Sequence, residues 1–341
     1  MNINNRRYIG NKFKLLEFIY SNVIKFGFDN KYTFLDLFAG TGVVANFFAN
    51  KGYKTIINDN LYSNKVIYET FLGKDNIDYK KIKKILSEYN IIDESDIEDN
   101  YFSQIYANKY FSINDSKKIG YIRDEIENIK DNLSYREYCY LISSLLYSAD
   151  KIANTVGHFE SFLKKEPIDK GVLLKEFKLN ENIKPADIYN EDANDLAKKI
   201  KADVVYIDPP YNARQYVNFY HVLENLARWE KPQEFEGNSM KFKRDNLKSG
   251  YCRKNKASTL FKDLINSLQC KLIVVSYNNT YEAKSESSNN TILPNEIISI
   301  LESKGNVHIK EREYKSFNAG KTNLDGHKEF IYICEVNNEY N

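Results

Sequence analysis

The sequence predicts an α/β protein with a mostly parallel sheet, a C-terminal antiparallel hairpin and a mainly helical insertion. Two observations carry this prediction. Short apolar runs that end in glycine or acidic turns alternate with helical patterns before residue 60 and again after residue 185, as in βαβ units. Between them, residues 62–184 show mostly helical periodicity without a second strand–glycine–helix unit.

The first βαβ unit covers residues 12–59. Apolar residues at helical spacing predict a helix over 12–26, and the apolar run at 33–38 predicts a strand that ends in a glycine turn. The next stretch predicts a helix closed by Gly52, and residues 54–58 predict a second strand. A strand, a tight turn, a helix and a strand in this order predict a parallel pair joined by a crossover.

The second half of the sheet is expected after the helical stretch. Apolar runs predict strands at 186–189, 202–207 and 271–276. Two extended segments, 307–317 and 329–335, are joined by a polar, glycine-containing stretch and predict a hairpin. The sheet is therefore expected to end in an antiparallel pair.

Composition excludes several classes of protein. The chain has 341 residues, of which 42% are hydrophobic and 28% charged, values typical of a globular protein with a full core. No run approaches the roughly 18 consecutive apolar residues of a transmembrane helix, and the N-terminal residues lack the apolar stretch of a secretory signal. We therefore expect a soluble, cytoplasmic protein with no membrane partner. The four cysteines have neither CxxC nor zinc-ligand spacing, so neither disulfides nor a bound metal are expected.

The first chemical signal is an acidic strand end followed by a glycine turn. Asp36 precedes the turn, and Gly40 and Gly42 let the backbone approach a ligand closely before the helix begins. Asp59 ends the next strand about twenty residues further on, the spacing at which a carboxylate accepts hydrogen bonds from ribose hydroxyls. A nucleoside with a cationic amino-acid end satisfies both acids, and S-adenosylmethionine is such a ligand. A dinucleotide is the competing interpretation.

The second signal is the loop Asp208-Pro209-Pro210-Tyr211, which decides between them. Its prolines fix the backbone after a buried strand and leave carbonyl groups as acceptors. The Asp208 carboxylate and the Pro209 carbonyl suit an exocyclic NH2, and Tyr211 suits stacking on a planar ring. An aryl amine is a poor nucleophile, so it must be aligned with a methyl donor while acceptors stabilise the developing positive charge. The loop therefore favours methyl transfer to an amine.

Five motifs occur in a fixed order along the chain. They are RRYIGNK (6–12), DLFAGTG (36–42), IINDN (56–60), EDANDL (191–196) and DPPYNARQY (208–216). In this order they resemble the Dam-like class (alpha group) of adenine-specific DNA methyltransferases, above all its members in restriction–modification systems. RRYIGNK stands where this class often has WAGGK. The resemblance extends from residue 6 to the hairpin, and it implies the Rossmann-like fold of S-adenosylmethionine-dependent methyltransferases.

The resemblance also implies roles for individual residues. The methionine part of S-adenosylmethionine would contact Asp36 and the turn, its ribose Asp59, and the edge of its adenine Asp192 with Ala193. The expected cofactor contacts are Tyr8, Lys12, Asp36, Phe38, Ala39, Gly40, Thr41, Gly42, Asp59, Asp192, Ala193 and Asp208. Asp208 would lie between the cofactor and the target amine. The expected catalytic residues are Asp208, Pro209, Pro210 and Tyr211.

Double-stranded DNA is the partner that the resemblance implies. A target adenine must leave the duplex to reach such a site, at a cost of about a few kcal/mol, so a positive groove is expected beside it. The net charge is only +2, so the positive potential must be local. The densest basic stretch, residues 241–256, holds seven basic residues and one acidic residue. The expected phosphate contacts are Arg214, Lys241, Lys243, Arg244, Lys248, Arg253, Lys254 and Lys256.

The resemblance also predicts how the chain is divided. Residues 1–69 and 185–341 are expected to form the catalytic domain, and residues 70–184 a helical insertion that recognises the target sequence. The expected role is protection of host DNA. A cognate restriction endonuclease that acts independently is the expected second partner.

Several alternatives share part of this pattern. An N4-cytosine DNA methyltransferase or an RNA methyltransferase of the same fold would use a similar site, although aspartate at the first position of the loop favours adenine. A nicotinamide-dependent oxidoreductase would need GxGxxG where this chain has DLFAGTG. A non-catalytic DNA-binding module would have no use for both a cofactor turn and an amine-holding loop.

Overall fold

Seven strands form one mixed sheet in the computed structural model, which describes residues 1–278, 289–313 and 328–337. A separate two-stranded pair is formed by β5 and β6. The strands in the described residues are β1 (Thr33–Asp36), β2 (Lys54–Asn58), β3 (Asp187–Tyr189), β4 (Val204–Ile207), β5 (Phe235–Glu236), β6 (Lys241–Phe242), β7 (Leu272–Asn278), β8 (Gly305–Glu313) and β9 (Lys328–Val336).

The strand order contains a topological switch point, where strands that follow in the chain are added on opposite sides of β1. The order is β3-β2-β1-β4-β7-β9-β8. The first five strands run parallel, whereas β9 runs antiparallel to both β7 and β8. Since β2 and β3 lie on one side of β1 and β4 and β7 on the other, the switch point lies between β1 and β4. Ligands of open α/β sheets bind at the carboxyl ends of the strands at such a point.

Helices make up the rest of the main secondary structure. Within the part of the chain that the structure describes, none of them is long and apolar enough to cross a membrane. The helices are α1 (Leu16–Lys25), α2 (Val43–Asn50), α3 (Tyr62–Leu72), α4 (Tyr79–Asn90), α5 (Tyr101–Tyr106), α6 (Ile113–Asn128), α7 (Tyr135–Ile152), α8 (Ala193–Ala197), α9 (Tyr216–Arg228), α10 (Lys254–Ser267) and α11 (Pro294–Glu302).

The chain divides into two compact units. The sheet unit consists of Gly10–Asn60, Asn182–Tyr216 and Leu247–Asn341, and it contains the seven-stranded sheet. The helical unit consists of Met1–Ile9, Leu61–Glu181 and Val217–Asn246. The helical unit thus holds most of the predicted insertion, together with three segments that the sequence analysis placed in the catalytic domain, residues 1–9, 61–69 and 217–246. The functional division of the chain stays a prediction.

The sheet unit is held by apolar strands that are buried on both faces, as expected for parallel strands covered by helices. On one face, Val205 and Val275 pack with the α10 residues Phe261 and Leu264 in one buried cluster. On the other face, Phe34 of β1 stacks on Phe48 of α2, with ring centroids 3.7 Å apart. This double cover fixes the strand ends, and with them the loops that follow β1 and β4.

The helical unit is organised around α7, its longest helix. The Ser134 hydroxyl accepts a hydrogen bond from the Glu137 backbone N–H, and the Glu137 carboxylate accepts one from the Ser134 backbone N–H. This capping box satisfies two N–H groups that a helix N-terminus otherwise leaves unpaired. Nearly all residues of α7 are buried, so the helix forms the core of its unit.

The predicted α/β architecture is confirmed, with small differences at the ends of elements. The predicted helix over 12–26 begins as a 3-10 turn at Phe13–Leu15 before α1. The short β5–β6 pair was not predicted, because two-residue strands leave no periodic pattern. The predicted hairpin is present as β8 and β9, but residues 314–317 and the connecting segment lie outside the described residues.

Candidate active site

The carboxyl end of β1 leads into a turn with left-handed backbone at two glycines. Gly40 has φ +53° and Gly42 has φ +76°, a region that residues with a side chain rarely adopt. The Gly42 N–H donates to the Ala39 carbonyl at 2.8 Å, and α2 begins at the next residue. The two glycines of the predicted turn are therefore required by its backbone.

Asp36, at the end of β1, is fully buried with an incomplete set of partners. One carboxylate oxygen, Oδ2, accepts a hydrogen bond of 3.1 Å from the Ala45 N–H in the first turn of α2. The other, Oδ1, is buried and has no hydrogen-bond partner among the described residues. Burial raises the pKa of Asp36 well above its usual value, the Ala45 N–H opposes the rise, and the nearby Asp208 and Asp59 add to it. A buried carboxylate with an unused oxygen suits a cationic group that supplies donors.

The carboxyl end of β2 supports the turn from the neighbouring strand. An Asp59 carboxylate oxygen accepts a hydrogen bond from the Gly40 N–H at 2.9 Å. Asn58 was missed by the sequence analysis, yet its side chain is buried and joins three strand ends. Its Nδ2 donates to the Leu37 and Glu191 carbonyls, each at 3.1 Å, and its Oδ1 accepts from the Glu191 N–H at 3.0 Å.

Asp192 caps the short helix α8. Its carboxylate accepts hydrogen bonds from the Asn194 and Asp195 N–H groups at 2.9 and 3.3 Å, and Ala193 is buried at the helix start. The capping contact gives Asp192 a structural role. Its expected contact with a cofactor adenine stays a prediction.

The carboxyl end of β4 carries Asp208, which faces a buried lysine. The Lys12 Nζ lies 3.1 Å from an Asp208 carboxylate oxygen and 2.6 Å from the Tyr211 hydroxyl. The Tyr211 hydroxyl also donates to Asp208. Thus Lys12 and the Asp208–Tyr211 loop, predicted from separate motifs, meet in the sheet unit.

A second carboxylate completes this cluster. Glu329 of β9 lies with Oε1 2.9 Å from the Lys12 Nζ and 2.9 Å from the Tyr211 hydroxyl. Sequence analysis missed it. The available signal was an acid directly before an apolar run, residues 330–334. Since β9 runs antiparallel and pairs Glu329 with Asn278 at the end of β7, this acid reaches the same edge as Asp208.

The electrostatics of the cluster are set by burial and by charges of both signs. Burial alone would lower the pKa of Lys12, but Asp208 and Glu329 outweigh it and raise that pKa above its usual value. Burial raises the pKa of Asp208 to about 6, with Lys12 opposing the rise and Glu329 adding to it. The lysine is therefore charged at neutral pH, and Asp208 loses its proton only near neutrality.

Tyr211 is held at both its backbone and its ring. Its carbonyl accepts hydrogen bonds from the Thr291 N–H at 2.9 Å and the Tyr277 hydroxyl at 3.3 Å. Its ring centroid lies 4.7 Å from that of Tyr277. Stacking of Tyr211 on a target base stays a prediction.

Tyr8, the other residue expected from the N-terminal motif, belongs to the helical unit. Its ring stacks on Tyr220 with centroids 4.5 Å apart and an interplanar angle of 1°. The Arg6 guanidinium lies 5.7 Å from the Tyr8 ring centroid. The expected contact of Tyr8 with the cofactor stays a prediction.

The basic stretch at 241–256 is divided between the two units. Lys241 and Lys243 lie in the helical unit, whereas Lys248 and the residues after it lie in the sheet unit. Arg253, Lys254 and Lys256 are exposed at the start of α10.

Arg244, one of the expected phosphate contacts, is buried in the helical unit. It is only 6% exposed. Its guanidinium donates to the Asn218 side chain at 2.7 Å, to Glu236 at 3.0 Å and to the Phe242 carbonyl at 2.9 Å. These contacts give Arg244 a structural role within the helical unit, and its expected phosphate contact stays a prediction.

The segment that follows the DPPY loop is bonded to residues 249 and 252, within the part of the basic stretch that belongs to the sheet unit. The Gln215 side-chain amide donates to the Ser249 carbonyl at 3.0 Å and accepts from the Ser249 N–H at 2.8 Å. The Arg214 carbonyl also accepts a contact from the Cys252 Sγ at 3.2 Å, while the Arg214 side chain is exposed. The sheet unit therefore holds Lys248 and Arg253 in a fixed register with the DPPY loop.

The switch point of the sheet thus has a glycine turn with a buried aspartate on one side, after β1, and the DPPY loop on the other, after β4. Methyltransferases that act on amino groups have this architecture. Residues 8–292 match the family described as D12 class N6 adenine-specific DNA methyltransferase. This chain belongs to that family.

Named relatives agree with this assignment. The chain is 37% identical to modification methylase StsI of Streptococcus sanguinis, over 96% of this chain and 51% of that protein. It is 32% identical to modification methylase LlaI of Lactococcus lactis subsp. lactis, over 94% of this chain and 53% of that protein. It is also 32% identical to the type II methyltransferase M.NlaIII of Neisseria lactamica, over 96% and 98% respectively. The chain thus spans about half the length of StsI and LlaI and nearly all of M.NlaIII.

Proposed function

We propose that this chain is a site-specific DNA methyltransferase that transfers a methyl group from S-adenosylmethionine to N6 of adenine in double-stranded DNA. We further propose that it is the modification enzyme of a restriction–modification system, because relatives are named modification methylase and type II methyltransferase. One observation carries the proposal. Asp208 of the DPPY loop and the buried Asp36 end the two adjacent strands that flank the switch point, so an amine acceptor and a cation acceptor lie side by side.

The residues at this edge of the sheet fit S-adenosylmethionine. The unused Oδ1 of Asp36 suits the cationic α-amino group, and the left-handed Ala39–Gly42 turn suits close approach of the methionine part. Asp59 suits the ribose hydroxyls. Phe38, whose ring meets that of Tyr251 edge-on with centroids 5.2 Å apart, adds an apolar wall.

The chemistry requires alignment of the amine and stabilisation of charge rather than a covalent enzyme intermediate. When bound, S-adenosylmethionine supplies an electrophilic methyl group on a sulfonium. The N6 lone pair forms the new N–C bond as the S–C bond breaks, the electron pair of that bond stays on sulfur, and N6 then releases one proton. Asp208 and the Pro209 carbonyl accept hydrogen bonds from the N6 amine, which directs its lone pair and stabilises the positive charge that develops on it.

Single-molecule sequencing tests the proposal directly. DNA is prepared from a host that lacks its own methylation and expresses this protein. Modified adenine at one short motif is the expected result, and it would identify reaction, base and recognition sequence together. Modified cytosine at a motif would overturn the base assignment, and unmodified DNA from cells with folded protein would redirect the search to RNA.

The exposed basic residues at the start of α10 are expected to contact DNA phosphates. Replacing Arg253, Lys254 and Lys256 with alanine should weaken binding to all duplex sequences alike. It should also lower the slope of log K against log salt by about 0.9 for each phosphate that the variant no longer neutralises. Fluorescence anisotropy of a labelled duplex over a range of salt concentrations measures both effects.

A matched control lies at the opposite edge of the sheet. Lys31, Lys54 and Lys201 precede or begin the parallel strands, and all three are exposed. The triple alanine variant at these positions removes the same charge but should keep the wild-type slope. Equal slopes for the two triple variants would show that the α10 residues do not contact DNA.

A further inference from the structure

Glu329 is a buried acid that none of the predicted motifs contains. Its side chain is 3% exposed. Two of its contacts, to the Lys12 ammonium and the Tyr211 hydroxyl, are to groups that also contact Asp208. Two buried carboxylates therefore share one ammonium and one phenolic proton.

Sharing of this kind is costly for stability. One lysine neutralises only one of the two carboxylates, and burial of an uncompensated charge is unfavourable. The contact is also unnecessary for placing β9, because backbone pairing with β7 runs from Leu272↔Glu335 to Asn278↔Glu329. Packing and strand pairing thus account for the position of the backbone, but not for an acid at this residue.

We propose that Glu329 is a positioning residue for methyl transfer: by sharing Lys12 and Tyr211 with Asp208, it prevents either group from binding Asp208 alone and so keeps that carboxylate available to the target amine. This inference rests on the proposed function. Without Glu329, the ammonium and the hydroxyl would be directed only at Asp208, and their hydrogen bonds would compete with those from N6.

The same geometry predicts a change in the pH dependence. Asp208 interacts electrostatically with several charged and titratable groups. They are Lys12, Glu329, Tyr211, Asp36, Tyr206 and Tyr216. Glu329 is a like charge and raises the pKa of Asp208. Removal of that charge lowers this pKa, so the loss of activity on acidification should move to lower pH.

The test is Glu329→Gln, which keeps the size of the side chain but removes its charge, so that only a neutral and weaker acceptor competes with Asp208 for the Lys12 ammonium and the Tyr211 hydroxyl. We expect kcat to fall on the order of tenfold and the acidic limb of the pH profile to move below that of the wild type. The dissociation constant for S-adenosylmethionine, measured by calorimetry, should be unchanged. In ligand-free protein, carbon-13 NMR of labelled aspartate should show Asp208 titrating at lower pH than in the wild type, with Asp208→Asn used for assignment.

A matched control is Glu311→Gln, on β8. Glu311 is 54% exposed and pairs with Lys328, outside the cluster, so this variant should keep the wild-type kcat and pH profile. A purely structural role for Glu329 would lower the melting temperature and leave both the Asp208 titration and the acidic limb in place, which would overturn the inference. If the wild type methylates no DNA, the proposed function fails and the role in transfer with it. The ligand-free titration would still decide whether Glu329 acts on Asp208.

Discussion

The Asp208→Ala variant is expected to remain folded and to lose methyl transfer by about a thousandfold or more, as when a preorganised group that stabilises transition-state charge is removed. The alanine cannot accept a hydrogen bond from the amine, so both alignment and charge stabilisation are lost. Transfer of a labelled methyl group to duplex DNA measures the rate, and circular dichroism reports on the fold. Duplex affinity should change little, because Asp208 is not a phosphate contact.

Asp29→Ala serves as the control for this variant. Asp29 is 54% exposed and precedes β1, at the edge of the sheet opposite the site, so its loss should leave the rate unchanged. A normal rate in Asp208→Ala would exclude Asp208 from the reaction and would favour a DNA-binding module over an enzyme.

The Asp36→Asn variant is expected to melt at a higher temperature than the wild type at neutral pH while binding S-adenosylmethionine about a hundredfold more weakly. The gain arises because a buried carboxylate with an unused oxygen becomes neutral. The loss arises because removing one partner of a buried charge pair costs about 2–5 kcal/mol. Calorimetry measures the affinity, and thermal melts from pH 4 to 8 measure the stability.

The pH dependence of stability follows from the difference in the pKa of Asp36 between the folded and unfolded states. The pKa of Asp36 is raised in the folded protein, so the folded state binds the proton more tightly than the unfolded state does. Wild-type stability should therefore fall as the pH rises from the unfolded pKa through the folded one. The advantage of Asp36→Asn should be absent at the acidic end of this window and grow with pH.

Asp203, at the opposite edge of the sheet, offers a variant whose effect on stability should have the opposite sign to that of Asp36→Asn. At Asp203 burial opposes the shift, but hydrogen bonds from Lys271 and from the backbone and hydroxyl of Thr33 lower the pKa below its usual value. Asp203→Asn should therefore lose stability at neutral pH, and the loss should shrink as the pH falls. If Asp36→Asn is also destabilised at every pH, the Asp36 carboxylate is compensated in the ligand-free protein.

The strand ends were predictable because their chemistry is local. Each of the motifs DLFAGTG and DPPYNARQY directly follows or overlaps an apolar run and forms a turn whose backbone allows few residue types. A short contiguous stretch of sequence therefore predicts both the strand and the loop that follows it. The parallel strands were likewise visible as apolar runs, since burial on both faces removes polar residues from them.

The residues that were missed depend on contacts between distant segments. Glu329 reaches the site only because β9 runs antiparallel next to β7, and Asn58 matters only because β1, β2 and β3 are neighbours. The burial of Arg244 could not be predicted for the same reason: its partners Asn218 and Glu236 are not apparent from a run of basic residues. Local sequence reports charge, whereas burial and pairing are set by the tertiary fold.

The position of β9 between β7 and β8 has a consequence for how the protein is made. During synthesis β8 leaves the ribosome before β9, so until β9 emerges β8 has no sheet partner and β7 pairs only with β4. Until then the nascent chain presents the apolar edge of β7, a surface prone to unwanted pairing, and Lys12 lacks the Glu329 carboxylate. The glycine turn and the DPPY loop are made early, but the cluster around Asp208 is completed only when β9, which follows β8 in the chain, has been translated.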